Sequence, residues 1–164
     1  MLKQPRQHGF SLIELLIVCA IIGIVSAIAI PNLISSRRAA NEGSALATMR
    51  IIASSQATYR ATAGGGSYGN LGNLQTAGLV DVVVGASDTT AKSGYFFETN
   101  SVSGPSFPAF DAKAEPSTYT GVTATGSRSF FVNEAGVILY ALSATAPTCA
   151  ADNTRAITGG TPLN

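Results

Sequence analysis

Between Phe10 and Ile30 the only charged side chain is Glu14, and almost every other position is aliphatic. Residues 10–34 hold 19 hydrophobic side chains in 25 positions. Wound as a helix, the 21 residues from Phe10 to Ile30 reach about 32 Å, enough for the ~30 Å hydrocarbon core of a bilayer. Lys3 and Arg6 precede the segment, and Arg37 and Arg38 follow Pro31, so counting basic residues does not orient it. Beyond Pro31 the apolar positions thin to a stripe: Leu46, Met49, Ala53, Ala57 and Arg60 step by three or four, with Ile52, Gln56 and Tyr59 beside them. That spacing predicts an amphipathic helix, stopped by the run Gly64-Gly65-Gly66. Phe10 to Ala63 then reads as one helix of 54 residues, about 80 Å long. On its surface Arg38 and Glu42 are spaced for an i,i+4 pair, worth a few tenths of a kcal/mol at about this exposure and in the weaker order.

After the glycines the period changes. A short helical turn is expected around Leu71–Thr76. Strand signals follow at Gly94–Thr99, at Phe110–Glu115, where Phe110, Ala112 and Ala114 alternate with charged residues, and at Ser129–Asn133 and Val137–Leu142. The last two flank the turn Asn133-Glu134-Ala135-Gly136, which predicts a hairpin. The expectation is an α+β fold: four antiparallel strands packed on the amphipathic half of the helix, followed from Ser143 by a turn-rich tail.

Composition narrows the functional classes. Charged residues make up 12% of the 164-residue chain, against roughly 25% in an average soluble domain. Gly, Ser and Thr dominate residues 64–164, as on an extracellular surface. The net charge of +1 argues against a basic nucleic-acid binder. The two cysteines, Cys19 and Cys149, lie far apart in the chain, so no disulfide framework, C-x-x-C pair or zinc spacing is present. The single histidine, His8, precedes the apolar segment, and no Ser or Cys has a recognisable activating base. Catalysis, a metal site and a cofactor are therefore not expected.

The apolar segment has two readings from its composition. A secretory signal peptide would take Met1–Glu14 as its basic region, Leu15–Val25 as its apolar core and Ala27-Ile28-Ala29 as its cleavage motif. That would release a soluble binding domain starting at Ile30. Against it stand a carboxylate inside the apolar stretch, an abrupt Gly9-Phe10 junction, and a helical pattern that continues past the cleavage motif.

The order of residues carries more. Gly9-Phe10-Ser11-Leu12-Ile13-Glu14-Leu15-Leu16-Ile17-Val18, followed by Ala20-Ile21-Ile22-Gly23-Ile24 and Ala27-Ile28-Ala29-Ile30-Pro31, resembles the N-terminus of type IV pilins. The resemblance implies a leader, residues 1–9, removed by a prepilin peptidase that cuts between Gly9 and Phe10 and methylates the Phe10 amine. It implies that residues 10–34 are retained as a transmembrane and polymerisation helix, spanning from Phe10 to Ile30. Residues 35–63 would pack on the head and residues 64–164 would form it. Glu14 matches the family position that pairs with the N-terminal amine of a neighbouring subunit; a pair with Phe10 of the same chain is the alternative. Gly23 and Pro31 match helix-weakening positions that unwind in assembled filaments.

The implied function is a structural subunit, a major pilin, of a type IV pilus serving adhesion, surface motility or DNA uptake. The implied partners are further copies of the chain, the prepilin peptidase, inner-membrane lipids before assembly, and the assembly machinery: platform protein, assembly ATPase and, in a Gram-negative cell, an outer-membrane secretin. The implied location is a single pass of the inner membrane, then an extracellular pilus at the cell surface. The head resembles the family more loosely. Many such pilins close a C-terminal loop with a disulfide, and Cys149 has no second cysteine in the head. A type II secretion pseudopilin is the alternative within the superfamily, although its acidic calcium-binding region has no counterpart around Asp152.

Overall fold

The computed structural model describes residues 9–102 and 106–163. The leader expected at residues 1–9 lies outside these apart from Gly9. The chain divides into two compact units, Met1–Ser36 and Arg37–Asn164. Helix α1, Leu12–Ala61, contributes to both. It starts and ends two residues inside the expected limits, and the turn after Ala61 is closed by the Gly64 and Gly66 N–H groups, which donate to the Tyr59 and Arg60 carbonyls. Gly65 and Gly66 have φ of 55° and 94°, a left-handed conformation that removes the helix's own bonding partners.

In the second unit two short helices follow, α2 (Leu71–Thr76) and α3 (Val82–Gly85). Asn70 caps α2, with Asn73 reciprocating to the Asn70 N–H, and Asp81 caps α3 through the Val84 N–H at 2.7 Å. Seven strands complete the unit: β1 Tyr95–Val102, β2 Ala109–Pro116, β3 Ser129–Asn133, β4 Leu139–Ala141, β5 Thr148–Cys149, β6 Ile157–Thr158 and β7 Thr161–Pro162. The main sheet is antiparallel, in the order β1-β2-β3-β4-β7, and β5 pairs with β6. The expected four-stranded sheet is thus five-stranded. The added strand, β7, is two residues long and contains Pro162, too short and too poor in strand formers to show a period of two.

Alternation decides which side chains enter the core. Tyr95, Phe97 and Thr99 of β1 are buried while Phe96 and Asn100 are exposed. Opposite them Ala112 and Ala114 of β2 pair in register with Thr99 and Phe97, their small side chains leaving room for the aromatic rings. Phe130 and Val132 of β3 join the same cluster, together with Leu71, Leu74 and Val84 from α2 and α3 and Ala45, Met49 and Ile52 from α1. The buried stripe of α1 is Glu42, Ala45, Met49, Ile52 and Gln56, with Thr48 and Ser55 at its edge. It is centred one residue earlier than expected, so Leu46 and Ala53 are only half-buried and Ala57 is exposed. All five β3 residues are buried because the tail lies over the sheet's second face, where the Ser129 hydroxyl donates to the Thr145 carbonyl at 2.7 Å.

Candidate functional site

The first unit presents the candidate site. Phe10 precedes α1, and every described residue from Gly9 to Ser36 is exposed or half-exposed. Along this stretch Leu12, Ile13, Leu16, Ile21, Ile24 and Ile28 all show more than half of their surface. By length and composition α1 is able to cross a membrane. A face of this size without a cover is unlike a soluble monomer and marks a surface for lipid or for other helices.

Gly9 and Phe10 sit together before the helix begins. Glu14 lies in its first turn, where a carboxylate meets the positive end of the helix dipole, and its side chain makes no hydrogen bond or ion pair among the described residues. At Gly23 an added Cβ would meet nothing within 4 Å, so packing inside one chain does not require glycine there. Pro31 lies within α1, which stays helical through it; the missing N–H leaves the Ala27 carbonyl without its usual partner. One turn on, the Ser35 hydroxyl donates to the Pro31 carbonyl at 3.0 Å. Of the five residues singled out, only Gly9 and Phe10 are adjacent. The others are spaced along the helix; among the described residues Glu14 has no side-chain partner, and Pro31 meets only the Ser35 hydroxyl.

The second unit holds three buried polar centres, each with its partners provided internally. Gln56, fully buried, donates from Nε2 to the Gly69 carbonyl (2.5 Å) and to Thr99 Oγ1 (2.9 Å), and its Oε1 accepts the Gly69 N–H (3.1 Å). One side chain thus fastens the loop before α2 to both α1 and β1. Glu42 is the second centre. It accepts the Ser127 N–H and hydroxyl, both at 2.7 Å, and the Arg128 guanidinium at 2.8 Å. Burial pushes the Glu42 carboxyl up, but these three donors outweigh burial and hold it below the usual carboxylate range. The Arg38–Glu42 pair expected from spacing is absent: Arg38 turns instead to the carbonyls of Gly121 (2.5 Å) and Ala124 (3.2 Å). Both side chains find stronger partners in the loop before β3 than in each other.

Arg155 is the third centre. Its backbone has φ of 46°, in the left-handed region, and its side chain is buried. The guanidinium donates to Glu134 Oε1 (2.7 Å) and Oε2 (3.0 Å), to Asp111, and to the carbonyls of Phe110 (3.1 Å) and Ala150 (2.9 Å). These contacts tie the tail to β2 and to the β3–β4 turn. The hydrogen bond with Glu134 raises the Arg155 pKa further. Burial raises Glu134, which the Arg155 bond more than offsets, whereas burial prevails at Asp111 and leaves its carboxyl above the usual value. Cys149, beside this centre, donates its thiol to the Arg155 carbonyl at 3.3 Å and is also raised by burial. Both cysteines are free.

Residues 4–30 match the family described as the prokaryotic N-terminal methylation motif. The segment is a type IV prepilin signal. The chain is also 44% identical over 55 residues to the type IV major pilin protein PilA of Myxococcus xanthus, covering 34% of this chain and 25% of that protein. It is 62% identical over 34 residues to the type IV wide pilus major component PilA4 of Thermus thermophilus, covering 21% of this chain and 26% of that one. The chain therefore aligns with about a quarter of the length of these curated relatives. No solved structure matches it.

The prepilin signal contains Gly9, Phe10, Glu14 and Gly23 and ends one residue before Pro31. Sequence reasoning located this segment but missed the roles of Gln56, Glu42 and Arg155 in the head. The signals available for these were slight: one polar residue, Gln56, next to an apolar stripe, and one arginine in a tail otherwise made of turn residues.

Proposed function

We propose that this chain is the precursor of the structural subunit of a type IV pilus, a major pilin that assembles through its retained apolar helix. The observation that carries the reading is the coincidence of a prepilin signal at residues 4–30 with the uncovered apolar part of α1. A prepilin peptidase cuts between Gly9 and Phe10, where a glycine lets the enzyme approach the backbone closely, and the new Phe10 amine is methylated. The segment from Phe10 to Ile30 then holds the subunit in the inner membrane until the assembly machinery (platform protein, ATPase and, in a Gram-negative cell, secretin) moves it into a filament at the cell surface.

Exchange of lipid for neighbouring helices keeps the apolar face dry, so the hydrophobic contribution is retained and the selectivity comes from Glu14. An uncompensated charge at the centre of a membrane helix costs on the order of 2.5–3.5 kcal/mol on insertion scales, an upper figure for Glu14 in the first turn of α1. Pairing with the positive amine of the next subunit's Phe10 offsets that cost only when the two copies are in register. Gly23 and Pro31 are the places where α1 gives way at least cost, through one residue with no side chain and one with no N–H. The subunit is a building element and not a catalyst.

Mass and N-terminal sequence of the mature chain test the reading. A product beginning at N-methylated Phe10 is expected, recovered from fibres sheared off the cell surface. A product beginning at Ile30 would overturn it in favour of a secreted soluble domain. Methylated Phe10 without surface fibres would favour a pseudopilin of type II secretion.

A further inference from the structure

We propose that the head carries a second, electrostatically keyed contact between copies, in which the Arg50–Ile51 surface of α1 in one subunit seats the Asp81–Val82–Val83–Asp88 knob of the next. The proposal rests on the filament reading above and deepens it by naming head surfaces that would meet.

The first surface is the solvent face of α1 in the second unit. Gly43, Ala47, Arg50, Ile51 and Ser54 are spaced to share it, and all are exposed. Ile51 leaves 48% of its surface open. Arg50 makes no ion pair or side-chain hydrogen bond among the described residues. Gly43 costs roughly 1 kcal/mol of helix propensity against alanine, although a Cβ there would meet nothing within 4 Å in its own chain. The face is therefore low-lying around one apolar side chain and one free cation.

The second surface has the opposite character. In α3, Val84 is buried and anchors the turn, while Val82 and Val83 stand out at 65% and 51% exposure. Both flanks of the pair are acidic. Asp81 spends one carboxylate oxygen on the Val84 N–H and keeps its charge towards solvent, and Asp88 has no partner among the described residues. Two adjacent exposed valines held by a capped turn form a rigid apolar projection bordered by anions. Low relief with a free cation matches a projection bordered by anions in both shape and charge. Among the described residues of one copy these charges do not pair.

Because the two surfaces are made of different residues, a contact between them is heterologous. Each subunit that accepts a knob still offers its own, so the contact propagates, and it builds an open chain wherever its rotation does not close a ring. That is the symmetry a filament requires. The opposite charges favour this register and penalise knob-to-knob encounters, in which aspartates would face one another.

Cysteine cross-linking of fibres tests the contact. In a Cys19→Ala, Cys149→Ser background, I51C and V83C together should, on oxidation, give a ladder of dimers, trimers and larger species. Each single variant should stay monomeric, since neither surface meets itself. Fibres that form with both cysteines but give no ladder would overturn this contact and leave the filament reading standing, whereas absence of wild-type fibres would overturn the filament reading itself. If the double-cysteine chain does not assemble, charge reversal decides. Arg50→Glu should lower fibre yield about tenfold and Asp88→Arg in the same chain should restore most of it; an unchanged yield, or no restoration, overturns the proposal.

Discussion

Replacing Arg155 with methionine removes the hub that holds the tail on the sheet. The side chain is 7% exposed, and its carboxylate partners Glu134 and Asp111 are 17% and 29% exposed. Breaking a buried pair from one side costs about 3–5 kcal/mol, because the remaining charges keep their desolvation penalty. The partial exposure of both carboxylates places this case near the lower figure, about 3 kcal/mol. In a unit spanning Arg37–Asn164, that should lower the melting temperature by roughly 10 °C. The assay is thermal unfolding of the full chain in detergent, followed by near-ultraviolet circular dichroism, with native-state proteolysis between Ala150 and Ala156 as a local readout. Arg155→Lys should fall between, keeping a charge but losing the fork that reaches Glu134 twice. Adding Glu134→Gln and Asp111→Asn to Arg155→Met should recover part of the loss, since no charge is then left buried alone. Melting within 2 °C of the parent, with an equally protected tail, would refute the view that Arg155 closes the head.

The remaining predictions concern acid, the buried amide and the helix. The carboxyls of Glu42 and Glu134 are held below the usual range in the fold, so their contribution is present above the unfolded value of about 4.3 and is lost as pH falls through the folded values. Asp111, whose carboxyl is raised, contributes with the opposite sign and blunts the loss. Denaturation midpoints should therefore be level from neutral to mildly acidic pH and fall below about pH 4, and Glu42→Gln should flatten that fall; an unchanged slope would remove Glu42 from the account. Gln56→Leu should cost about 2–3 kcal/mol, because the Gly69 N–H and carbonyl lose their partner in a dry site, and hydrogen exchange at Gly69 should accelerate; slow exchange there would contradict the clamp. Gly23→Ala meets no clash in one chain and should raise helicity in micelles by about 1 kcal/mol of propensity. Fewer fibres from that variant would mean that glycine serves the assembly, whereas an undiminished yield would take Gly23 out of the assembly mechanism.

Legibility in the sequence followed the length of each pattern. The long helical pattern placed both ends of α1 within two residues, and α2 and β3 fell on their expected limits, Leu71–Thr76 and Ser129–Asn133. The edge strand β1 ran on past Thr99 to Val102 through Asn100 and Ser101, because an edge facing water tolerates polar residues that a propensity count rejects. The pairs β5–β6 and β4–β7 contain two-residue strands, for which a period of two has no meaning. The charged centres were hidden for another reason. Spacing placed Glu42 beside Arg38, yet in the fold it reaches 85 residues along the chain to Ser127. Such a choice depends on desolvation, which only the packed structure defines. The same holds for Arg155, where a left-handed backbone usually given to glycine is occupied by the residue whose side chain is needed.

The head is closed by guanidinium and carboxylate groups, while its single thiol stays free. Its folding therefore asks for no oxidant and no disulfide-forming helper, and reducing surroundings leave it intact. Acidity takes the place of reduction as its vulnerability. A filament built from such heads would persist in anoxic, thiol-rich habitats and loosen where carboxylates become protonated.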